Sequence, residues 1–320
     1  MKNLAGDSNY CFKTRSPFYK ELDFKILGVT RDVSHSPGNV KNDFLIFNLV
    51  VSCLKDKGLE IDVIDEDKFL KDDSFADYDI MVNMCRKKES IRKLQELENS
   101  GKLVINSGFA IENCTRKRMA EIFREKSIPS SENHIVGNER DLEVFLEKYK
   151  GEKYWVKKGE GHTVESSDIT FCKNAEEIRQ AVKFLRESGI KEVVLSRHIQ
   201  GDLIKFYGVE GQDFFCWFYP EIAEEEIHKE EGDGEKHPEK EKKSIIHPVS
   251  LIEEKLKDTC KKSAESFGVK IYGGDCIIDK EGRINIIDIN DWPSFKICRN
   301  EAAPHIAACI LDEIIKWKKH

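Results

Sequence analysis

The sequence lacks several features that mark particular classes of protein. No apolar run reaches the ~18 residues that a membrane-spanning helix needs, and residues 1–22 lack the apolar core of a signal peptide. The ten cysteines are scattered, without a Cys-x-x-Cys pair. Scattered cysteines are typical of a reduced, cytoplasmic protein without structural zinc. We therefore expect a cytoplasmic protein with no membrane partner.

Positive charge is not in excess either. The chain has 52 Lys and Arg against 59 Asp and Glu, a net charge of −7, whereas a nucleic-acid-binding domain usually has a basic face. No Gly-x-Gly-x-x-Gly motif occurs, so a dinucleotide site is not expected. These absences predict a protein that does not bind nucleic acid, and they leave its oligomeric state unknown.

Strand and helix patterns alternate over residues 23–106, after an irregular lead-in at 1–22. This alternation predicts a Rossmann-like α/β domain in which helices cover a parallel sheet. The predicted strands are 24–30, 60–64, 78–84 and 103–105, and the predicted helices are about 42–57 and 89–98.

Basic residues follow two of these strands. Arg31 and His35 lie in the loop after the first, and Arg86 lies within two residues of the end of the third. Most loop charges are simply solvated. Because the loops at the carboxyl ends of parallel strands line the crevice of an open sheet, we nevertheless predict that Arg31, His35 and Arg86 bind an anionic substrate.

Residues 271–295 carry the most informative pattern. Two apolar strands, 271–278 and 283–290, are joined by a four-residue loop that would place Asp275 opposite Ile286. Asp288 would then lie diagonally across from Asp275, at about 7–8 Å, with Asn290 one step further on the same face. Ile287 and Ile289 would face a core. Two carboxylates and an amide oxygen form a hard site suited to Mg²⁺, although an ordinary hairpin with solvated acids has the same spacing.

This stretch resembles the magnesium-binding end of an ATP-grasp domain, which reads Gly-x-Asp, a hairpin, and Glu/Asp-x-Asn followed by Pro. The resemblance implies that Asp275, Asp288 and Asn290 bind Mg²⁺, with Asp288 standing where most ligases of this fold have Glu. Trp-Val-Lys, Lys-Phe-Tyr-Gly-Val and Asn-Asp-Trp-Pro-Ser-Phe are similar to bacterial ATP-grasp proteins of unassigned substrate. The chain also resembles ribosomal-protein glutamate ligase-like enzymes and inositol phosphate kinases.

Further segments match the same family in the expected order. By resemblance, ATP would be bound by Lys117, within a helix predicted over 106–126, by Lys157, by the hinge residues Ser196, His198 and Ile199, and by Asp202. Lys205 would reach the transferring phosphate. Arg299, which lies just before the last predicted helix and close in sequence to the metal residues, would pair with a substrate anion in a catalytic role. A solvated helix lysine, a lysine that merely extends to water, and a helix-end arginine paired with its neighbours are the ordinary alternatives.

The resemblance implies a fold and a function. The N-terminal α/β domain would be the domain that precedes ATP-grasp, and residues 107–320 would form a two-lobed α+β ATP-grasp domain. Its small lobe would span about 130–199, and its metal-binding hairpin 271–295. Residues 221–247 are almost free of apolar side chains and are predicted to be a disordered insertion. The expected activity is an ATP- and Mg²⁺-dependent carboxylate–amine or carboxylate–thiol ligase that works through an acylphosphate on a small, anionic substrate. A small-molecule kinase and a non-catalytic ATP-binding protein are the alternatives.

Overall fold

The computed structural model describes residues 24–35, 38–159, 168–220, 249 and 252–319. The predictions for the lead-in at 1–22 and the insertion at 221–247 lie outside these residues. The strands are β1 (Ile26–Thr30), β2 (Ile61–Asp65), β3 (Ile80–Asn83), β4 (Leu103–Ile105), β5 (Asn133–Val136), β6 (Tyr154–Lys158), β7 (Ile169–Cys172), β8 (Val193–Arg197), β9 (Gly201–Val209), β10 (Phe215–Phe218), β11 (Ile271–Asp279) and β12 (Ile284–Asp291). The helices are α1 (Val40–Asp56), α2 (Glu66–Lys71), α3 (Lys88–Asn99), α4 (Gly108–Asn113), α5 (Arg116–Glu125), α6 (Glu139–Lys148), α7 (Ala175–Glu187), α8 (Glu253–Phe267) and α9 (Arg299–Trp317).

The mixed α/β class predicted from the sequence is confirmed. The first sheet is parallel, with strand order β2-β1-β3-β4. Helix α1 buries one apolar stripe, including Ile46, Phe47 and Val50, in a core that it shares with this sheet and with α9. The loops after β1 and β3 leave neighbouring strands at the same edge of the sheet. The C-terminal helix α9 packs along α1, so the last helix of the chain closes the core of the first sheet.

One helix predicted over residues 106–126 is in fact two, α4 and α5. The side chain of Ser107 accepts hydrogen bonds from the first turn of α4 and so fixes where that helix begins. At its end, the Thr115 hydroxyl donates to the Glu112 carbonyl at 2.8 Å, and Thr115 itself is extended. Such local side-chain hydrogen bonds compete with helix continuation, which explains the break.

Two antiparallel sheets form the rest of the described chain. One has the order β5-β8-β6-β7, and its inner face packs on α6 and α7. The other has the order β10-β9-β11-β12, and its inner face packs on α5 and α8. We call them the small-lobe sheet and the hairpin sheet. Each therefore has one face committed to a core, which leaves the opposite face for polar groups.

The nine α-helices of the described residues differ in length and in apolar content. None of them is both long enough and apolar enough to cross a membrane.

Candidate functional site

Three charged side chains lie side by side across the hairpin sheet. Asp275 on β11 is paired with Lys205 on β9 and with Asp288 on β12. Side chains at directly paired positions point to the same face, with Cβ atoms about 4.5–5.5 Å apart. We call Lys205, Asp275 and Asp288 the charged row. The alternation of buried and accessible residues along β9 and β11 places this row on the face away from α8.

The predicted hairpin register was wrong in detail. The last residues paired between β11 and β12 are Ile278 and Ile284, so five residues (279–283) lie between them where four were predicted. A β-bulge also lies next to Asp275. Asp275 therefore faces Asp288 directly instead of Ile286. The extra residue at the bulge is Ile287, which is partly exposed, whereas Ile289 is buried as predicted. The bulge brings the two carboxylates closer together than the predicted diagonal arrangement would.

The electrostatics of the charged row follow from these contacts. The Lys205 ammonium lies 3.0 Å from Asp275 Oδ1, and the Asn290 amide nitrogen donates to Asp288 Oδ2 at 3.1 Å. Burial raises the pKa of Asp275, Lys205 opposes this effect, and the nearby Asp288 adds to it. Two facing carboxylates repel each other, and a divalent cation between them would relieve that repulsion.

The donor set fits Mg²⁺. Asp275, Asp288 and Asn290 offer carboxylate and amide oxygens on adjacent strands, and hard cations prefer such ligands. Among the described residues no group of three or more His, Cys, Asp or Glu side chains could hold a metal. A cation at this position would accordingly rely on the amide of Asn290 besides the two carboxylates, and on water or phosphate oxygens.

Apolar side chains border the charged row on one side. Leu203 on β9 is paired with Ile277 on β11, both are accessible, and Ile287 at the bulge is partly exposed. The sequence analysis did not identify this apolar border. The alternation along β9 could have revealed it, because Leu203 and Lys205 are two residues apart and must share a face.

The other side of the row is narrow. Gly273 is paired with both Tyr207 and Asn290, and an added Cβ at Gly273 would lie 2.7 Å from the Tyr207 ring and 2.8 Å from Pro293. A side chain at position 273 would therefore clash. Tyr207 packs against Phe295 with a ring-centroid distance of 5.0 Å, so an aromatic wall closes this end of the site.

Lys157 lies on β6 of the small-lobe sheet and interacts electrostatically with the charged row. Burial lowers the pKa of Lys157 to about 8, with a further decrease from Arg116, while Asp288 and Asp275 raise it. Lys157 is therefore near enough to the charged row for both carboxylates to affect its pKa. Trp155 lies two residues earlier on the same strand and is packed against Phe171, with ring centroids 4.9 Å apart.

Lys117, at the start of α5, already has an anionic partner. Its ammonium lies 2.7 and 2.8 Å from the two carboxylate oxygens of Glu192. The backbone N–H of Lys117 also donates to the Gly159 carbonyl, which links α5 to the end of β6. The sequence analysis did not identify Glu192 as a partner for this lysine.

The predicted hinge residues lie at the end of β8 and just beyond it. Ser196 is buried and donates to Asn133 at 2.6 Å, and the Trp155 indole donates to His198 at 3.2 Å. Burial and the nearby Lys153 lower the pKa of His198. His198 and Ile199 line a cavity of about 660 Å³ that the turn between β11 and β12 also borders. Asp202 follows on β9, paired with Ile278.

The predicted substrate-binding and catalytic residues of the N-terminal sheet and α9 have partners within the protein. Arg31 pairs with Asp43 at 2.9 Å, Arg86 lies 3.1 Å from Asp291, and Arg299 donates to the Asn42 side chain at 2.7 Å. His35, in a short 3₁₀ helix, is partly exposed and lies beside Ser34. Binding of substrate by Arg31, His35 and Arg86, and a catalytic role for Arg299, stay predictions.

The chain was also compared with known proteins. No protein-family model and no curated protein matches it. A D-alanine–D-alanine ligase from Bacillus anthracis, solved with ATP, is similar at 16% identity and a TM-score of 0.62, over 92% of this chain and 96% of that one. D-alanyl-alanine synthetase A from Vibrio cholerae gives 12% identity and a TM-score of 0.65, over 91% and 98%. An ATP-grasp RimK domain protein from Sphaerobacter thermophilus gives 13% and 0.60, over 89% and 99%.

Proposed function

Because the chain has the ATP-grasp fold, we propose that it is an ATP- and Mg²⁺-dependent enzyme that joins a carboxylate to an amine or a thiol. Two of the similar structures are, by their names, a D-alanine–D-alanine ligase and a D-alanyl-alanine synthetase, and the ligase was solved with ATP. Similarity at this level of identity supports the fold, so the reaction must be argued from the site.

The charged row is the observation that carries the proposal. Lys205, Asp275 and Asp288 lie on three adjacent strands, and Lys157, on the small-lobe sheet, interacts electrostatically with the two carboxylates. A lysine beside two carboxylates on one open face suits a polyphosphate that carries its own divalent cation. The apolar border formed by Leu203, Ile277 and Ile287 would accept the flat, apolar part of a nucleotide.

Each residue has a distinct role in the proposed reaction. Mg²⁺ held by Asp275, Asp288 and Asn290 would neutralise phosphate charge. Lys157 would bind phosphate oxygens from the small-lobe sheet, and Lys205 would balance the charge that develops on the transferring phosphoryl group. The substrate carboxylate attacks the γ-phosphorus of ATP, so that ADP leaves and an acylphosphate forms. The amine or thiol then attacks the acyl carbon, displaces inorganic phosphate and loses its proton to the solvent. Catalysis thus depends on positioning and charge neutralisation.

The arginines disfavour a kinase that acts on a polyphosphorylated inositol. Such a substrate requires a dense cluster of positively charged side chains that can bind its phosphates. Arg31 and Arg86 were among the few residues that could have contributed to such a cluster. Their side chains are only 7% and 9% exposed and pair with Asp43 and Asp291. A carboxylate substrate needs less positive charge and fits this surface better.

One experiment tests the reaction class. The protein with ATP and Mg²⁺ would be supplied with pools of amino acids, dipeptides, thiols and inositol phosphates, while ADP and inorganic phosphate are measured together. A ligase releases equal amounts of both, whereas a kinase releases ADP and leaves the phosphoryl group on its product. ADP without free phosphate would contradict the ligase proposal. A melting temperature unchanged by millimolar ATP and Mg²⁺ would contradict ATP binding itself.

A further inference from the structure

Two arginines of the N-terminal sheet contact the backbone at the end of the metal-binding hairpin. Arg86, after β3, donates to the Asp291 carbonyl at 2.9 Å, and Arg31, after β1, donates to the Trp292 carbonyl at 2.9 Å. These two carbonyls directly follow Asn290. The hairpin end therefore lies in the crevice at the carboxyl edge of the parallel sheet, where such folds usually bind ligands.

The two arginines are themselves held firmly. Arg31 also donates to Asp43 at 2.9 Å and to the Met84 carbonyl at 3.3 Å, which ties the loop after β1 to the end of β3. The buried carboxylate of Glu66 accepts hydrogen bonds from the backbone N–H groups of Asp32 and Arg86, at 3.0 and 2.8 Å. Both loops are thus fixed to one buried acceptor, and the guanidinium groups extend from a rigid base.

The segment that they hold has an unfavourable backbone. Trp292 has a φ of +30°, a conformation that a bulky residue rarely adopts unless its surroundings impose it. Its side chain is fully buried against Phe47 of α1, and its backbone N–H donates to the Ile271 carbonyl at 2.9 Å. Contacts with the N-terminal sheet and its helix therefore determine how the chain leaves β12.

We propose that Arg31 and Arg86 are positioning residues that fix Asn290, and through it the divalent-cation site. The inference rests on the metal site of the proposed function. Along β12, side chains alternate, so Asn290 points into the site while the buried Asp291 points toward Arg86. A guanidinium group can hold a carbonyl and a carboxylate at the same time in fixed directions, which a lysine ammonium cannot do equally well.

The test measures metal binding without turnover. Mn²⁺ would be titrated by electron paramagnetic resonance into the protein with a non-hydrolysable ATP analogue, for wild type, Arg31→Lys and Arg86→Lys. Both variants keep the positive charge but lose the planar guanidinium group that can donate in two fixed directions. We expect Mn²⁺ to bind about tenfold more weakly, as is typical when a partner of a metal ligand is altered. Binding of the analogue without metal should change less than twofold. Arg92→Lys, on the exposed side of α3, is the matched control and should behave like wild type.

The outcomes separate the two proposals. Wild type that does not bind Mn²⁺ would overturn the metal site of the proposed function, and this inference with it. Wild type that binds Mn²⁺ with variants that bind equally well would overturn only the positioning role. Unchanged Mn²⁺ affinity with a raised KM for the acceptor would instead assign the arginines to substrate. Should either variant fail to fold by circular dichroism, Asp291→Asn keeps the guanidinium–carbonyl contacts and should still weaken Mn²⁺ binding, to a smaller extent.

Discussion

Two lysines approach the same site from different sheets, and their surroundings differ sharply. Lys205, on the hairpin sheet, lies 3.0 Å from Asp275, a contact that favours its charged form. Lys157, on the small-lobe sheet, lies in a more buried position, where loss of hydration lowers its pKa to about 8. On the hairpin sheet Lys205 already has a carboxylate beside it, whereas Lys157 is a cation that an anionic ligand would stabilise. The two sides of the site should therefore respond oppositely to the same substitution.

The largest effect is expected from the hairpin sheet. Asp288→Asn keeps the shape of the side chain and one oxygen but removes an anionic ligand from the proposed metal site. Loss of a phosphate-bridging cation removes several kcal/mol of transition-state stabilisation, so turnover should fall roughly a thousandfold. The rate of ADP release, with the substrate that the pool experiment identifies, measures this effect. Asp258→Asn, an exposed acid on α8, is the control, and wild-type turnover in Asp288→Asn would contradict the role of the charged row.

Substitutions of the two lysines should change the stability of the protein in opposite directions. Both Lys205→Met and Lys157→Met should lose at least a hundredfold in turnover. Lys205→Met leaves Asp275 facing Asp288 alone and should lower the free energy of unfolding by up to about 1 kcal/mol, because the pair is partly exposed. Lys157→Met removes a partly buried charge whose pKa is lowered by desolvation, and should raise the free energy of unfolding by about 1–2 kcal/mol at pH 7. Urea unfolding of the ligand-free proteins tests this opposition, and equal destabilisation of both would refute it.

The stabilisation by Lys157→Met should also depend on pH. Lys157 has a folded pKa of about 8 and an unfolded value of 10.5, so the unfolded chain binds more protons between these values. The contribution of Lys157 to the free energy of unfolding therefore rises with pH across this window. The advantage of Lys157→Met should be full at pH 7 and should shrink as pH rises from 8 toward 10.5. A constant difference between pH 7 and pH 10 would show that the Lys157 pKa is not lowered.

The affinity for nucleotide should also depend on the protonation of Lys157, and the change should be smaller than the one expected for stability. If phosphate oxygens bind the protonated form of Lys157, as proposed, the affinity for a non-hydrolysable ATP analogue should fall by up to tenfold as pH rises from 7 to 9. Lys157→Arg keeps its charge over this range and should show little change. Fluorescence titration of the analogue at each pH provides the measurement. Parallel pH profiles for wild type and Lys157→Arg would assign the dependence to another group.

The sequence predicted the composition of this site better than its geometry. Strand alternation is a local property, so the shared face of Asp288 and Asn290 could be predicted from spacing alone, whereas Asp275 lies on that face only because of the register that the bulge produces. The exact register could not, because it depends on a five-residue connection and a bulge that no single residue type specifies. The contacts of Arg86 could not be predicted from the sequence for a different reason. Its partner Asp291 is 205 residues away in sequence, and such a contact becomes visible only in the folded chain.

The smallest effect is expected at Lys117, which combines features of the other two lysines. Like Lys205 it has a carboxylate partner, and like Lys157 it lies near the small-lobe sheet, here beside Glu192. Because Lys117 and Glu192 are both about one-third exposed, their pair should contribute at most about 0.5 kcal/mol to stability. A phosphate group that binds Lys117 must compete with the Glu192 carboxylate. Glu192→Gln should therefore raise the affinity for the ATP analogue two- to threefold, equivalent to about 0.5 kcal/mol, and leave the melting temperature nearly unchanged. Weaker binding in Glu192→Gln would mean that Glu192 orients Lys117 for phosphate instead of competing with it.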